Sequence, residues 1–359
     1  MEKEIYGYKF DIQTEVEDNH KKLTIIPSPE KIHDYQQGKQ VFSENTLNLL
    51  WSKHYFGIKH NTTLFEMMYN TFKSTISMED NLSTLLLRQQ LFCDLIIRAG
   101  IIIEEFAAIC TSIEKYVNDE NIDIAEAYLA ASQPIGFYTS IQARGDRIIK
   151  KLFRFPEAKF DSRRILSNLS NDEIELVWKG VNASVDHIKG VLNGISELIY
   201  KEIRTNFTIY DAYNKLKHAF APMYQFILPN ECTLGNVLLG ANEEDLIKSY
   251  FFNNITIMHD KVNGQRTPEE RERAERDRLA TPTLTQIDIT PDIVEDIFFT
   301  IKNIDELYSR LIETYLAHSQ GFNRLYLTVK KDAITEDEYI NLKAIIDDDT
   351  RYISTNNQE

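Results

Sequence analysis

The chain is poor in cysteine, proline and glycine, and each shortage removes a class of structure. Cys93, Cys110 and Cys232 are its only cysteines in 359 residues, and no CxxC occurs. So sparse and odd a set argues against a disulfide framework and against a zinc ribbon. There are 9 prolines and 13 glycines. None of the prolines falls between Met78 and Val117, or between Glu173 and Ala221. Intervals that long without a breaker favour helix. No P-loop, GxGxxG, GxSxG or HExxH sequence is present, so the chemistries those motifs serve have nothing to rest on. Positive charge is also short, with 40 Lys and Arg against 55 Asp and Glu and a net charge of -15. That balance disfavours whole-surface binding to nucleic acid or anionic lipid. Nor is there a long apolar run. The best, Ile96 to Ile113, is broken by Arg98, Glu104 and Glu105, so no membrane span and no membrane partner are expected. The opening MEKEIYGYKFD holds no apolar leader segment, and a cytoplasmic location is the expectation.

What remains is helical periodicity. Leu85, Phe92, Leu95, Ile96, Ala99, Ile102, Ile103, Phe106, Ile109 and Ile113 recur at the spacing of one helix face. Similar stripes run from Trp178 to Ile199 and from Ile293 to Leu311. The reading is a mainly α protein, a bundle of long antiparallel helices at 78–117, 172–221 and 291–318. A few short peripheral strands are expected at 5–26, 224–228 and 324–330, where polar and apolar residues alternate or an apolar run follows a proline. Residues 246–260 read as helix, and 267–280, almost wholly charged, as an exposed helix or a loop. Gly190 and Gly194 suggest close helix packing or a break. The organisation is a strand and helix segment at 1–77 packed on the bundle, the bundle core at 78–322, and a strand, short helix and tail at 323–359.

Two features bear on chemistry. Between Ala143 and Leu166 an acidic chain turns basic, with Arg144, Arg147, Lys150, Lys151, Arg154, Lys159, Arg163 and Arg164. This is the candidate for contact with phosphate, and the interleaved Phe153, Phe155 and Phe160 offer faces for bases. A solvated helix face carries the same charges with no ligand at all. Arg98 and Glu105 lie in an apolar stretch and need partners. They either pair between helices or reach the second feature, the polar stripe Asp211, Asn214 and His218 ahead of Pro222.

Asn214-x-x-Lys217-His218, followed by Ala219-Phe220 and an extended run, resembles the HEPN-type helical-bundle proteins. The resemblance implies an all-α protein, often dimeric, in a family with many metal-independent ribonucleases of bacterial defence and toxin systems. It implies RNA as a partner, a second copy of the chain or another protein as well, and no metal or other cofactor. His218 would be the general acid or base, since imidazole titrates near neutrality. Asn214 would orient the phosphate or the ring, and Lys217 or Arg98 would supply positive charge to the developing oxyanion. The family places an Arg four to six intervening residues before the His. Those positions here are Tyr213, Ala212 and Asp211.

Two other readings stay open. One is a non-catalytic helical scaffold or partner-binding subunit, in which Asn214 and His218 simply satisfy neighbouring groups. The other is an HD-type metal phosphohydrolase built on His218, His259, Asp260 and Asp292 or Asp296. Glu30-x-x-His33 is an ExxH sequence, but a di-metal helical centre needs two such pairs on different helices and two further glutamates.

Overall fold

The computed structural model describes residues 2–5, 8–17, 20–27, 29–132, 134–217, 242–245, 252–261, 266–330 and 333–354. The fold is mainly α. The expected strand at 224–228 lies outside the described residues, as does His218.

Strands β1 (Glu2–Ile5), β2 (Tyr8–Glu17) and β3 (His20–Pro27) form an antiparallel meander, with Asp11 opposite Ile26 and Glu17 opposite His20. Four helices follow: α1 (Pro29–Gly38), α2 (Glu44–Tyr55), α3 (Lys59–Ile76) and α4 (Leu82–Asn118). Short helices α5 (Ile124–Leu129), α6 (Gly136–Arg144) and α7 (Asp146–Leu152) lead to the long α8 (Asn171–Tyr200). A tight pair, β4 (Glu202–Arg204) and β5 (Phe207–Thr208), introduces α9 (Ile209–Leu216). Later come β6 (Asn254–Asp260), α10 (Pro268–Asp277), β7 (Pro282–Asp288), α11 (Pro291–Ser319) and α12 (Glu336–Ile346).

Helix α4 is the axis. At 1.5 Å per residue its 37 residues span roughly 55 Å. It packs against α3, α5, α9 and α11, and its side chains from Leu91 to Ile113 are buried on several sides. Helices α6, α7, α9 and α11 each touch both α4 and α8, so they tie the two long helices together. The apolar core is continuous from Phe42 to Ile345.

The helix starts follow their chemistry. Ser170 with Glu173, Thr208 with Asp211, Thr267 with Glu270 and Thr335 with Glu338 all form reciprocal capping boxes. The second of these corrects the expectation of one helix over 172–221. The helix ends at Tyr200, and the chain turns through Asn206 with φ 58 before Thr208 caps a new helix. Asparagine tolerates that left-handed backbone better than most residues. The helix expected at 246–260 is also corrected over its last half. Residues 254–260 form β6, paired with β7 so that Ile255 faces Ile287. β-Branched Ile255, Thr256 and Ile257 favour that extended form. The expected strand at 324–330 is corrected: these residues form no ladder. The Thr328 N–H donates to Ser184 Oγ of α8 instead (3.0 Å). The charged segment at 267–280 holds helix α10, which buries no residue.

The glycines separate by what surrounds them. Close packing or a break at Gly190 and Gly194 is corrected: α8 runs through both, and nothing lies within 4 Å of a Cβ added at either. At Gly100 an added Cβ would stand 2.2 Å from the Tyr213 ring. Helix α9 therefore docks on α4 through that missing methyl. Gly190→Ala and Gly194→Ala are each expected to raise stability by roughly 0.5–1 kcal/mol, read as a higher urea midpoint. Gly100→Ala is expected to lower the midpoint and to speed hydrogen exchange across 209–217. Unchanged exchange there would refute the docking account.

Candidate functional site

The basic segment does not form one solvated face. Helix α7 ends at Leu152, and the chain closes it with two bonds: Arg154 N–H to the Lys151 carbonyl (3.2 Å) and Phe155 N–H to the Lys150 carbonyl (2.8 Å). This helix stop usually carries glycine at its left-handed residue. Here that residue is Arg154, with φ 50. A side chain in that conformation costs about 1 kcal/mol or more, so the guanidinium is placed there against the local preference. Its Nε donates to Asn323 Oδ1 (2.8 Å).

The same turn sends Phe153 and Phe155 into the core, at 2% and 4% exposed. The expectation that three interleaved aromatics face a ligand is corrected: of these only Phe160 is exposed. Two adjoining concavities result, of about 320 and 620 Å³, which share Val117 at the end of α4 and Lys151. Together they make a shallow groove. Arg144, Arg147, Lys150, Lys151, Arg154 and Arg164 line it, against the carboxylates Glu114, Glu157 and Asp161.

Pairing divides these cations. Arg144 is bonded to Glu114, Arg147 lies 3.9 Å from Glu157, and Arg164 lies 3.9 Å from Asp161. Lys150, Lys151 and Arg154 have no carboxylate partner among the described residues. The Lys150 ammonium rests 4.2 Å from the centre of the Trp178 ring. Arg163 is outside the groove lining, bonded to Asn171 (3.0 Å) and set against Phe160. Behind Arg154 lies a buried polar cluster that sequence reasoning missed. His318 Nε2 meets the Tyr116 hydroxyl at 3.2 Å, while His318 Nδ1 and the Tyr315 hydroxyl are buried without partners. Burial and then the nearby Arg154 charge hold the His318 imidazole down to about 3. The ring is thus neutral, and it lets the guanidinium approach.

The other sequence candidates lie elsewhere. Asn214 contacts the Tyr210 hydroxyl. Lys217 donates to Glu104 (3.4 Å) and lies over the Tyr213 ring. Glu104 also accepts from Tyr210 (3.2 Å) and Tyr213 (2.7 Å). Arg98 reaches Asn61 (2.7 Å), and Glu105 accepts from Asn61 (3.1 Å) and pairs with Lys53. So Arg98 and Glu105 join α4 to α2 and α3, and it is Glu104 that meets α9. By helical rise, Gly100, where α9 docks, is about 25 Å from Val117 at the groove.

His259 is buried in the β6–β7 pair. Its Nδ1–H donates to the Asp260 carbonyl (2.7 Å), and its Nε2 accepts from the Thr285 hydroxyl (2.8 Å). Asp260 pairs with Arg266 and Asp296 with Lys201. Among the described residues no group of three His, Cys, Asp or Glu side chains is placed to hold a metal ion. Cys93 and Cys110 are buried, and burial pushes the Cys93 thiol up to about 12, far from a reactive thiolate. No family model, curated protein or solved structure matches the chain.

The His318 environment predicts acid sensitivity. The unfolded chain takes up a proton below the ordinary value of 6.5, whereas the folded chain resists it down to about 3. The stability this supplies is complete above about pH 6.5 and declines as pH falls through that window, by at most about 1.4 kcal/mol per pH unit for one proton. Urea midpoints measured at pH 7 and pH 5 should fall more in the native chain than in His318→Gln. Equal falls would remove His318 as the source.

Proposed function

We propose that the protein is an RNA-binding helical protein of the HEPN-like kind its sequence resembles, with the sugar–phosphate backbone held in the basic groove. One observation carries this reading. Lys150, Lys151 and Arg154 line a single concavity without a carboxylate partner, in a chain of net charge -15. Beyond the contact of Lys150 with Trp178 and the bond from Arg154 to Asn323, these cations meet no opposite charge in the fold, whereas a phosphate chain neutralises them and releases counterions. The left-handed backbone at Arg154 supports the same view, since strain held at one side chain is characteristic of ligand sites.

The activity supported is binding rather than cleavage. The donors of Asn214 and Lys217 are engaged with Tyr210 and Glu104, which suits a role in docking α9. Any ribonuclease step rests on His218.

Anisotropy of a labelled single-stranded RNA should show binding that weakens with salt. For three phosphate contacts the slope of log K against log salt is about -2. Lys151→Glu is expected to weaken binding at least tenfold and to flatten that slope, with far-UV circular dichroism unchanged. Affinity that is independent of salt, or untouched in a Lys151→Glu, Arg154→Gln double variant, would overturn the proposal. Incubation with EDTA, beside His218→Ala, separates the two activities: RNA bound but intact marks a binding module, and cleavage lost in His218→Ala marks a nuclease.

A further inference from the structure

A second cavity, of about 370 Å³, opens between α2, the end of α11 and the segments around 322–326 and 349–352. Its size is at the lower end of the range for small-ligand pockets. Four aromatic residues line it, Trp51, Phe322, Tyr326 and Tyr352, and the His54 ring lies against Trp51 in the same wall. The Trp51 indole stacks on Tyr55, with ring centres 5.7 Å apart and planes 23° apart. The Arg324 guanidinium lies 5.8 Å from the Tyr326 ring centre and 5.6 Å from that of Tyr352. It also bonds Asp349 (2.8 Å). Glu313, which accepts from Arg310 (3.4 Å), adds a second carboxylate to the wall.

These groups narrow the occupant. A cation is disfavoured, because Arg324 already lies against two of the aromatic rings. An anion is disfavoured by Glu313 and Asp349. A purely aliphatic ligand would cover the open sides of these charged groups without offering them hydrogen bonds. A planar, neutral heterocycle with hydrogen-bond donors on its edge satisfies all three limits. Carboxylates only accept hydrogen bonds, and an arginine matches adjacent ring acceptors. Guanine presents both edges.

The cavity is also next to the groove. Phe322 and Arg324 line the cavity, while Asn323 between them lines the groove and holds Arg154. One stretch of backbone is the wall of both. Resting on the RNA-binding reading, we infer that the aromatic cavity receives a nucleobase, guanine best, from the strand whose backbone occupies the groove.

The chain's two tryptophans make the test direct. Trp51 lines the cavity, and Trp178 lies against Lys150 of the groove. In Trp178→Phe the emission comes from Trp51 alone. Guanosine, which carries no phosphate, is expected to quench it saturably, and uridine more weakly. Adding Tyr326→Ala should weaken guanosine roughly tenfold or more. Glu313→Gln, a milder change, should erase the preference for guanosine over uridine. In Trp51→Phe, guanosine should leave the Trp178 emission unchanged. Quenching that survives Lys151→Glu supports the base site whatever the groove does. No saturable quenching, with RNA binding intact, overturns the base site and leaves the groove. Equal guanosine and uridine affinities in the native cavity overturn the guanine assignment.

Discussion

A helix buried on several sides must dispose of every charge it carries, and α4 carries three at its centre. Arg98, Glu104 and Glu105 cannot reach bulk water without cost, so all three have drawn in polar groups from neighbouring helices. Glu105 binds Lys53 of α2 and Asn61 of α3, Asn61 also accepts from Arg98, and Glu104 gathers two tyrosines and a lysine of the α9 region. The two glutamates are adjacent in sequence, so helical rotation sends them about 100° apart. That one pair fixes α2 and α3 on one side of the axis and α9 on another. Around them, the Tyr213 ring against Gly100 sets how closely α9 approaches α4.

The same requirement explains how far the sequence could be read. Long apolar stripes specified α4, most of α8 and α11, because periodicity over many turns outweighs local ambiguity. The capping boxes at Ser170, Thr267 and Thr335 coincide with helix starts. What failed was local chemistry within otherwise helical stretches. The break after Tyr200 was signalled by Thr205-Asn206 and by Thr208 three residues before Asp211, but the surrounding helix formers concealed it. Residues 254–260 carry a short apolar pattern that fits either helix or strand, and only the partner strand at 282–288 decides between them. Gly190 and Gly194 resembled a packing motif by spacing alone, yet they face open space.

The site was legible as composition and not as geometry. The run of arginine and lysine from Arg144 to Arg164 could be seen, and six of its members do line one groove. Which cations lack a carboxylate partner depends on contacts with residues such as Glu114 and Asn323, far away in the chain. The left-handed backbone at Arg154 has no sequence signature, because a non-glycine residue in that position is uncommon. His318, Tyr315 and Tyr116 read as ordinary members of helix stripes. Their polar atoms acquire meaning only when α4 and α11 bring them behind one guanidinium.

The stretch from Phe322 to Arg324 is a partition one residue thick, with alternate side chains belonging to different compartments. It has no β-ladder to stiffen it, only scattered contacts such as the Asn323 bond to Arg154 and the isolated bridge from Phe322 to Ser354. Were both compartments filled as proposed, any effect that one ligand exerts on the other through this shared wall would be reciprocal, each changing the other's affinity by the same factor.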